Sequence, residues 1–276
     1  MSEPYISIRH LSRFYDISDN WINRLVSGTP RRILKAVDGV SFDIPKGQTF
    51  ALVGESGSGK STVGRVVVGL DRPDRGVVRI DGYRFDSQAK SAYLPVQVRQ
   101  KLQMVFQSPY SSLNPRWRVG SILAEPLRAF SLISNQDQQS RRISELLEQV
   151  GLAPQDAHKF PHEFSGGQRQ RISIARALAT EPEFIVCDEP TSALDVSVQA
   201  QVLNLLKRLQ SELNLTYLFI SHDMAVVKFM AHHIGVMRQG RIIEQAPACQ
   251  LFQKPARRYT QMLIETTPRI NRHHAR

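Results

Sequence analysis

Residues 50–61 read Phe50-Ala51-Leu52-Val53-Gly54-Glu55-Ser56-Gly57-Ser58-Gly59-Lys60-Ser61. Four apolar residues in an unbroken row predict a short strand buried on both faces, as in a parallel sheet. The glycine-rich run after it fits the spacing G-x-x-x-x-G-K-[ST]. Glycines let the backbone curl so that several N–H groups converge on phosphate oxygens. Lys60 to Leu70 predicts a helix, whose positive N-terminal end faces the same anion. Lys60 then reaches a β- or γ-phosphate, and the Ser61 hydroxyl is placed to ligate Mg²⁺. A glycine-rich turn with a chance lysine would lack this framing by a buried strand and a helix. The framing therefore favours nucleotide binding.

A second apolar run, Phe184-Ile185-Val186-Cys187, ends in the carboxylates Asp188 and Glu189. Alone, this could equally be a solvated strand end. Beside a phosphate loop it gives Asp188 the role of holding Mg²⁺ and Glu189 that of facing an attacking water. Further strands are expected at Ile6–Tyr15, Ala36–Ile44, Val77–Ile80, Leu102–Phe106 and Tyr217–Ile220. Ile234–Met237 and Arg241–Glu244 flank Arg238-Gln239-Gly240 like a hairpin. Helices are expected at Gly166–Ala179 and Val196–Leu213, and a long polar loop over Asp16–Lys35. Between about 108 and 164 no strand signal stands out. Val119–Phe130 and Gln136–Val150 read as helices, the second with Ile143, Leu146, Leu147 and Val150 on one stripe. Strands alternating with helices imply a mainly parallel sheet covered on both faces.

The chain has 276 residues, 41% of them hydrophobic and 22% charged, enough to bury a core without disulfides or structural metal. No apolar stretch approaches the roughly 20 residues that span a bilayer. The start, Met1-Ser2-Glu3-Pro4-Tyr5, lacks a signal-peptide pattern, so a membrane role is expected to come through a partner. Cys187 and Cys249 form no ligand pattern, and Cys187 reads as a small core residue. The net charge of +11 could attract polyanions. The basic residues are spread out, however, and the short clusters at Arg31-Arg32 and Arg269–Arg276 lack interleaved aromatics. A solvated surface and no nucleic-acid partner are expected.

Phe164-Ser165-Gly166-Gly167-Gln168, opening a helix upstream of the Asp-Glu strand, resembles the signature sequence of the ABC ATPases. Ser165 suits a helix N-cap. The family's other motifs follow in its order. Gln107 is similar to the Q-loop glutamine, Ser192-Ala193-Leu194-Asp195 to the D-loop, and His222 to the switch histidine. Tyr15 is similar to the aromatic that stacks on adenine. The resemblance runs from about Ile6 to Pro268. It implies a P-loop NTPase (RecA-like) core with an antiparallel β subdomain and a helical insertion. On this reading the nucleotide-binding domain is 1–245, the insertion about 108–164, and the tail 246–276. It implies ATP and Mg²⁺ as cofactors, with catalysis by Glu189, His222 and Gln107. The nucleotide would be bound by Tyr15, Gly54, Glu55, Ser56, Gly57, Ser58, Gly59, Lys60, Ser61 and Thr62. Ser165, Gly166, Gly167, Gln168 and Asp195 would contribute from a facing protomer. Mg²⁺ would be held at Ser61, Gln107 and Asp188.

Gln107-Ser108-Pro109-Tyr110-Ser111-Ser112-Leu113-Asn114-Pro115-Arg116 resembles the run in ATPases of dipeptide, oligopeptide and nickel importers. So do Lys35–Ile44 and the tail Arg258–Ile264 with Pro268. This implies an importer motor, with peptides the first expectation for the cargo. Its partners would be two transmembrane permease subunits, a second ATPase, related or identical, arranged head to tail, and, indirectly, an extracytoplasmic solute-binding protein. The location would be peripheral, on the cytoplasmic face of the inner membrane. The alternative is a soluble ABC-type ATPase not tied to transport. Tyr110, Leu113 and Trp117 are candidates to touch the membrane partner, with ordinary packing the equal alternative. Phe164 stands where the family has leucine. Cys249 alone gives no expectation of the tail iron–sulfur cluster found in many members. His273 and His274 read as part of a disordered basic end.

Overall fold

The computed structural model describes residues 4–18, 30, 32–88 and 94–265. Most of the expected loop at 16–35, Arg31, and the tail with Arg269–Arg276, His273 and His274 lie outside the described residues.

Among the described residues ten strands form two sheets. In chain order they are β1 (Ile6–Asp16), β2 (Ile33–Ile44), β3 (Thr49–Val53), β4 (Arg75–Ile80), β5 (Tyr83–Asp86), β6 (Leu102–Val105), β7 (Phe184–Asp188), β8 (Thr216–Ser221), β9 (His233–Arg238) and β10 (Arg241–Pro247). The first sheet is antiparallel, with order β2-β1-β4-β5. The second has order β10-β9-β3-β8-β7-β6, parallel throughout except for the β9–β10 hairpin. The helices are α1 (Lys60–Val67), α2 (Val96–Lys101), α3 (Pro109–Ser112), α4 (Val119–Ala129), α5 (Gln136–Gln149), α6 (Gly166–Leu178), α7 (Val196–Leu213), α8 (Met224–Met230), α9 (Ala248–Gln253) and α10 (Arg258–Glu265).

The parallel sheet divides the core in two because successive strand residues point to opposite faces. Phe50 and Leu52 of β3, Phe184 and Val186 of β7, and Leu218 and Ile220 of β8 pack with α1 and the antiparallel sheet. The intervening Ala51, Val53, Ile185, Cys187, Tyr217 and Phe219 pack with α4, α5, α6, α7 and α8. All five residues of β3 are buried, as are those of β7 and all six of β8. The unbroken apolar runs thus reflect a sheet sandwiched on both sides. This is the P-loop NTPase arrangement expected from the sequence.

Several elements depart from expectation. β2 begins at Ile33, inside the expected loop. α1 stops at Val67, before Leu70. β5, α2, α3, α8, α9 and α10 carry no strong periodic signal and were not expected. Leu113 is 2% exposed and belongs to the core, so it is no docking candidate, whereas Tyr110 and Trp117 are 65% and 45% exposed. Tyr110 lies under the Arg169 guanidinium, which is 4.9 Å from its ring centre.

Candidate active site

In open α/β sheets ligands bind outside the carboxyl ends of the parallel strands. Four such ends meet here. β3 runs into Gly54, β7 into Asp188 and Glu189, β6 towards Gln107, and β8 towards His222. The pairs Val53↔Ser221, Asp188↔Ile220 and Val105↔Cys187 keep these ends level.

Lys60 opens α1 and is 4% exposed. Its Nζ donates to the carbonyls of Gly54 and Glu55, both at 2.8 Å, and to Ser58 Oγ at 3.3 Å. Burial lowers its pKa, while Glu189, Asp188 and Glu55 act to raise it. The loop around it is tightly braced. Gly54 sits at φ +150°, and a Cβ there would lie 2.1 Å from the Met237 carbonyl oxygen, so only glycine fits. Gly240 N–H donates to the Ser58 carbonyl at 3.0 Å. Glu55 N–H donates to the Tyr259 hydroxyl at 3.1 Å. Glu55, Ser56 and Gly57 form the exposed rim, and Thr62 follows Ser61 on α1.

Ser61 Oγ donates to Asp188 Oδ1 at 2.9 Å. Burial pushes the Asp188 carboxyl up; the Ser61 bond opposes this and the Glu189 charge adds to it. A hydroxyl beside a carboxylate is an oxygen-only pair that fits Mg²⁺, which takes one or two protein oxygens and completes its shell with substrate phosphates and water. Among the described residues no group of three or more His, Cys, Asp or Glu could hold a metal.

Glu189 adopts φ +46°, a left-handed conformation costly for a non-glycine residue. Its N–H donates to the Ile220 carbonyl at 2.9 Å. Its carboxylate accepts from Gln107 Nε2 at 2.9 Å and lies 3.2 Å from His222 Nδ1. Glu189, Thr191, Ser192 and His222 line a cavity of about 110 Å³, room for more than one water.

A second group lies on α6 and α7. Ser165 caps α6, its Oγ accepting from Gln168 N–H at 3.3 Å while Gln168 Oε1 accepts from Ser165 N–H at 3.0 Å. Asp195 caps α7, accepting from Val198 N–H at 3.0 Å and Ser197 Oγ at 2.7 Å. The Val198 and Ser197 bonds hold its carboxyl below the usual range. The two helices touch closely, since a Cβ on Gly167 would lie 2.2 Å from Val198 Cγ1. A Cβ on Gly166 would meet Leu194 Cδ2 at 3.4 Å.

The structure thus brings Lys60, Ser61, Asp188, Glu189, Gln107 and His222 together. It gathers Ser165, Gly166, Gly167, Gln168 and Asp195 separately, with the Ser165 hydroxyl bonded within its own helix. Tyr15 lies on β1. Its hydroxyl donates to Asp71 at 3.0 Å, and the Arg13 guanidinium lies 4.8 Å from its ring centre. Sequence reading missed the hold of Tyr259 and Gly240 on the loop. Tyr259 was visible only as one residue of a tail run, and its partner is 204 positions away.

The family model described as ABC transporter matches residues 37–192. The chain is 48% identical over 268 residues to the oligopeptide transport ATP-binding protein OppF of Bacillus subtilis, covering 97% of this chain and 84% of that protein. It is 44% identical over 274 residues to the dipeptide transport ATP-binding protein DppF of Escherichia coli, covering 98% and 78%. Among solved structures, the ATP-binding cassette MJ0796, a dimer in a post-hydrolysis state bound to ADP and Pi, superposes with a TM-score of 0.75 at 28% identity, covering 88% of this chain and 98% of that one. The cbiO1 protein of Clostridium perfringens, part of the ABC transporter complex cbiONQ, gives 0.74 at 26% identity, covering 92% of each.

Proposed function

The chain belongs to the ABC transporter ATP-binding family, and from that membership we propose that it is the ATP-hydrolysing motor of a peptide importer. The observation that carries the cargo class is its likeness, along almost its full length, to oligopeptide and dipeptide transport ATP-binding proteins.

In this reading Lys60 and the loop residues 54–62 bind the phosphates, with Tyr15 against the base. Ser61 and Asp188 would hold Mg²⁺, and the Gln107 amide oxygen is left for it because the amide nitrogen is committed to Glu189. When bound, the cation would offset the negative charge of the phosphates. Glu189 orients the attacking water in line with the leaving oxygen and takes up its proton, while His222 steadies the carboxylate. Ser165, Gly166, Gly167, Gln168 and Asp195 cap the nucleotide of a facing ATPase, arranged head to tail. ATP that bridges two protomers favours the closed pair and its products do not, so hydrolysis reopens it.

Two permease subunits at the cytoplasmic face of the inner membrane would receive this motion, with an extracytoplasmic solute-binding protein delivering the peptide. Residues 1–245 would form the nucleotide-binding domain, with the helical insertion at about 108–164, and 246–276 the tail. The test is uptake of a radiolabelled tripeptide-to-pentapeptide pool by host cells. Deleting the chain should abolish uptake, the wild type should restore it, and Glu189→Gln should not. Unchanged uptake in the deletion strain would refute the peptide-importer reading.

A further inference from the structure

The C-terminal helix α10 reaches into the phosphate loop. Its Tyr259 hydroxyl accepts the Glu55 N–H at 3.1 Å. That N–H belongs to the peptide unit joining Gly54 to Glu55. The carbonyl of the same unit, Gly54 O, accepts from Lys60 Nζ at 2.8 Å. All peptides among the described residues are trans, so N–H and C=O of one unit point in opposite directions and turn together. Tyr259 therefore grips one end of a planar lever whose other end holds the ammonium. Gly54, at φ +150°, supplies no Cβ to stop that lever from rotating.

Tyr259 is itself held. The Arg238 guanidinium, at the end of β9, lies 5.0 Å from its ring centre. Glu244 of β10 accepts from Ala256 N–H at 2.7 Å and Arg257 N–H at 3.0 Å, and also from the hydroxyl of the fully buried Thr260. Tyr259, Leu263 and Ile264 pack on the core. A chain segment that follows the whole nucleotide-binding fold thus ends on the rim of the phosphate cradle.

We propose that Tyr259 is a positioning residue for nucleotide binding: through the Gly54–Glu55 peptide its hydroxyl fixes the carbonyl that presents Lys60, so that the C-terminal helix sets the affinity of the site for ATP. The inference rests on residues 54–61 being the phosphate cradle. Cleavage itself belongs to Glu189 and its partners, so Tyr259 acts on binding rather than on turnover. A preorganised cradle binds more tightly than one that must be ordered on binding.

The experiment measures ATP KM and kcat of the assembled complex, and the ATP and ADP affinities of the isolated subunit, for the wild type, Tyr259→Phe, Glu244→Ala, the double variant and Lys60→Ala. Tyr259→Phe keeps the ring and its Arg238 contact and removes only the acceptor. It should raise KM and weaken both nucleotides about fivefold, as expected for one lost hydrogen bond, with kcat held within about twofold. Glu244→Ala frees the helix and should give a similar KM shift. The double variant should be no worse than Glu244→Ala, because the two act on one contact. Unchanged KM in Tyr259→Phe, or a fall in kcat alone, would overturn the inference while Lys60→Ala still abolished binding. Undiminished binding in Lys60→Ala would instead overturn the cradle reading, and the inference with it.

Discussion

Asp188 and Glu189 are adjacent in sequence but are held in different surroundings. Asp188 is buried with the Ser61 hydroxyl at hydrogen-bond distance of its Oδ1, and its pKa is raised by desolvation. A carboxylate whose pKa is raised on folding takes up its proton in the native state before the unfolded chain does. Native stability is therefore lost as pH climbs from the ordinary aspartate value, about 3.9, through the raised one. Asp188→Asn should raise the thermal midpoint of the nucleotide-free subunit at neutral pH, because the amide carries no charge to desolvate. The gain should shrink as the pH falls towards 4, and a constant gain at every pH would contradict the cause given. At Glu189 the carboxylate is engaged by Gln107 and His222, and the proposed role is chemical. Glu189→Gln should cut kcat by at least about a hundredfold while leaving ATP binding intact, checked by single-turnover hydrolysis beside equilibrium binding.

At the scale of elements, α6 and α7 approach so closely that no side chain fits at Gly167. Gly167→Ala should lower the thermal midpoint, since overpacking of this kind costs about 1–3 kcal/mol, and Val198→Ala in the same chain should recover much of the loss. No recovery would mean that the glycine is needed for backbone rather than space. The strand–loop–helix unit at 50–67 and the strand at 184–188 were legible because burial on both faces leaves an unbroken apolar run. β5 and α8 were not, being four and seven residues long, too short for a period to declare itself. The motif order told which residues to look for at the site. It could not tell that Gln107 and Glu189, 82 positions apart, would share a hydrogen bond, whereas the Ser165 hydroxyl does accept from its own helix as an N-cap should. Such contacts depend on the sheet order, which brings β6 beside β7 and β7 beside β8.

For the whole molecule, no helix among the described residues is long and apolar enough to cross a membrane. On the proposed function, retention at a membrane should depend on the permease pair. The chain should sediment with membranes from cells that make both permease subunits and stay in the supernatant when they are deleted. Equal sedimentation in both strains would remove the transport reading in favour of an ATPase working elsewhere.

The bond from Gln107 to Glu189 has a mechanical meaning. Gln107 lies just upstream of the exposed Tyr110 and Trp117, so in the proposed importer a pull on that outer stretch would be felt at the carboxylate through 2.9 Å of hydrogen bond. The arrangement would then work as an interlock: a partner gripping the outside of the molecule would also have a hand on the release of its fuel.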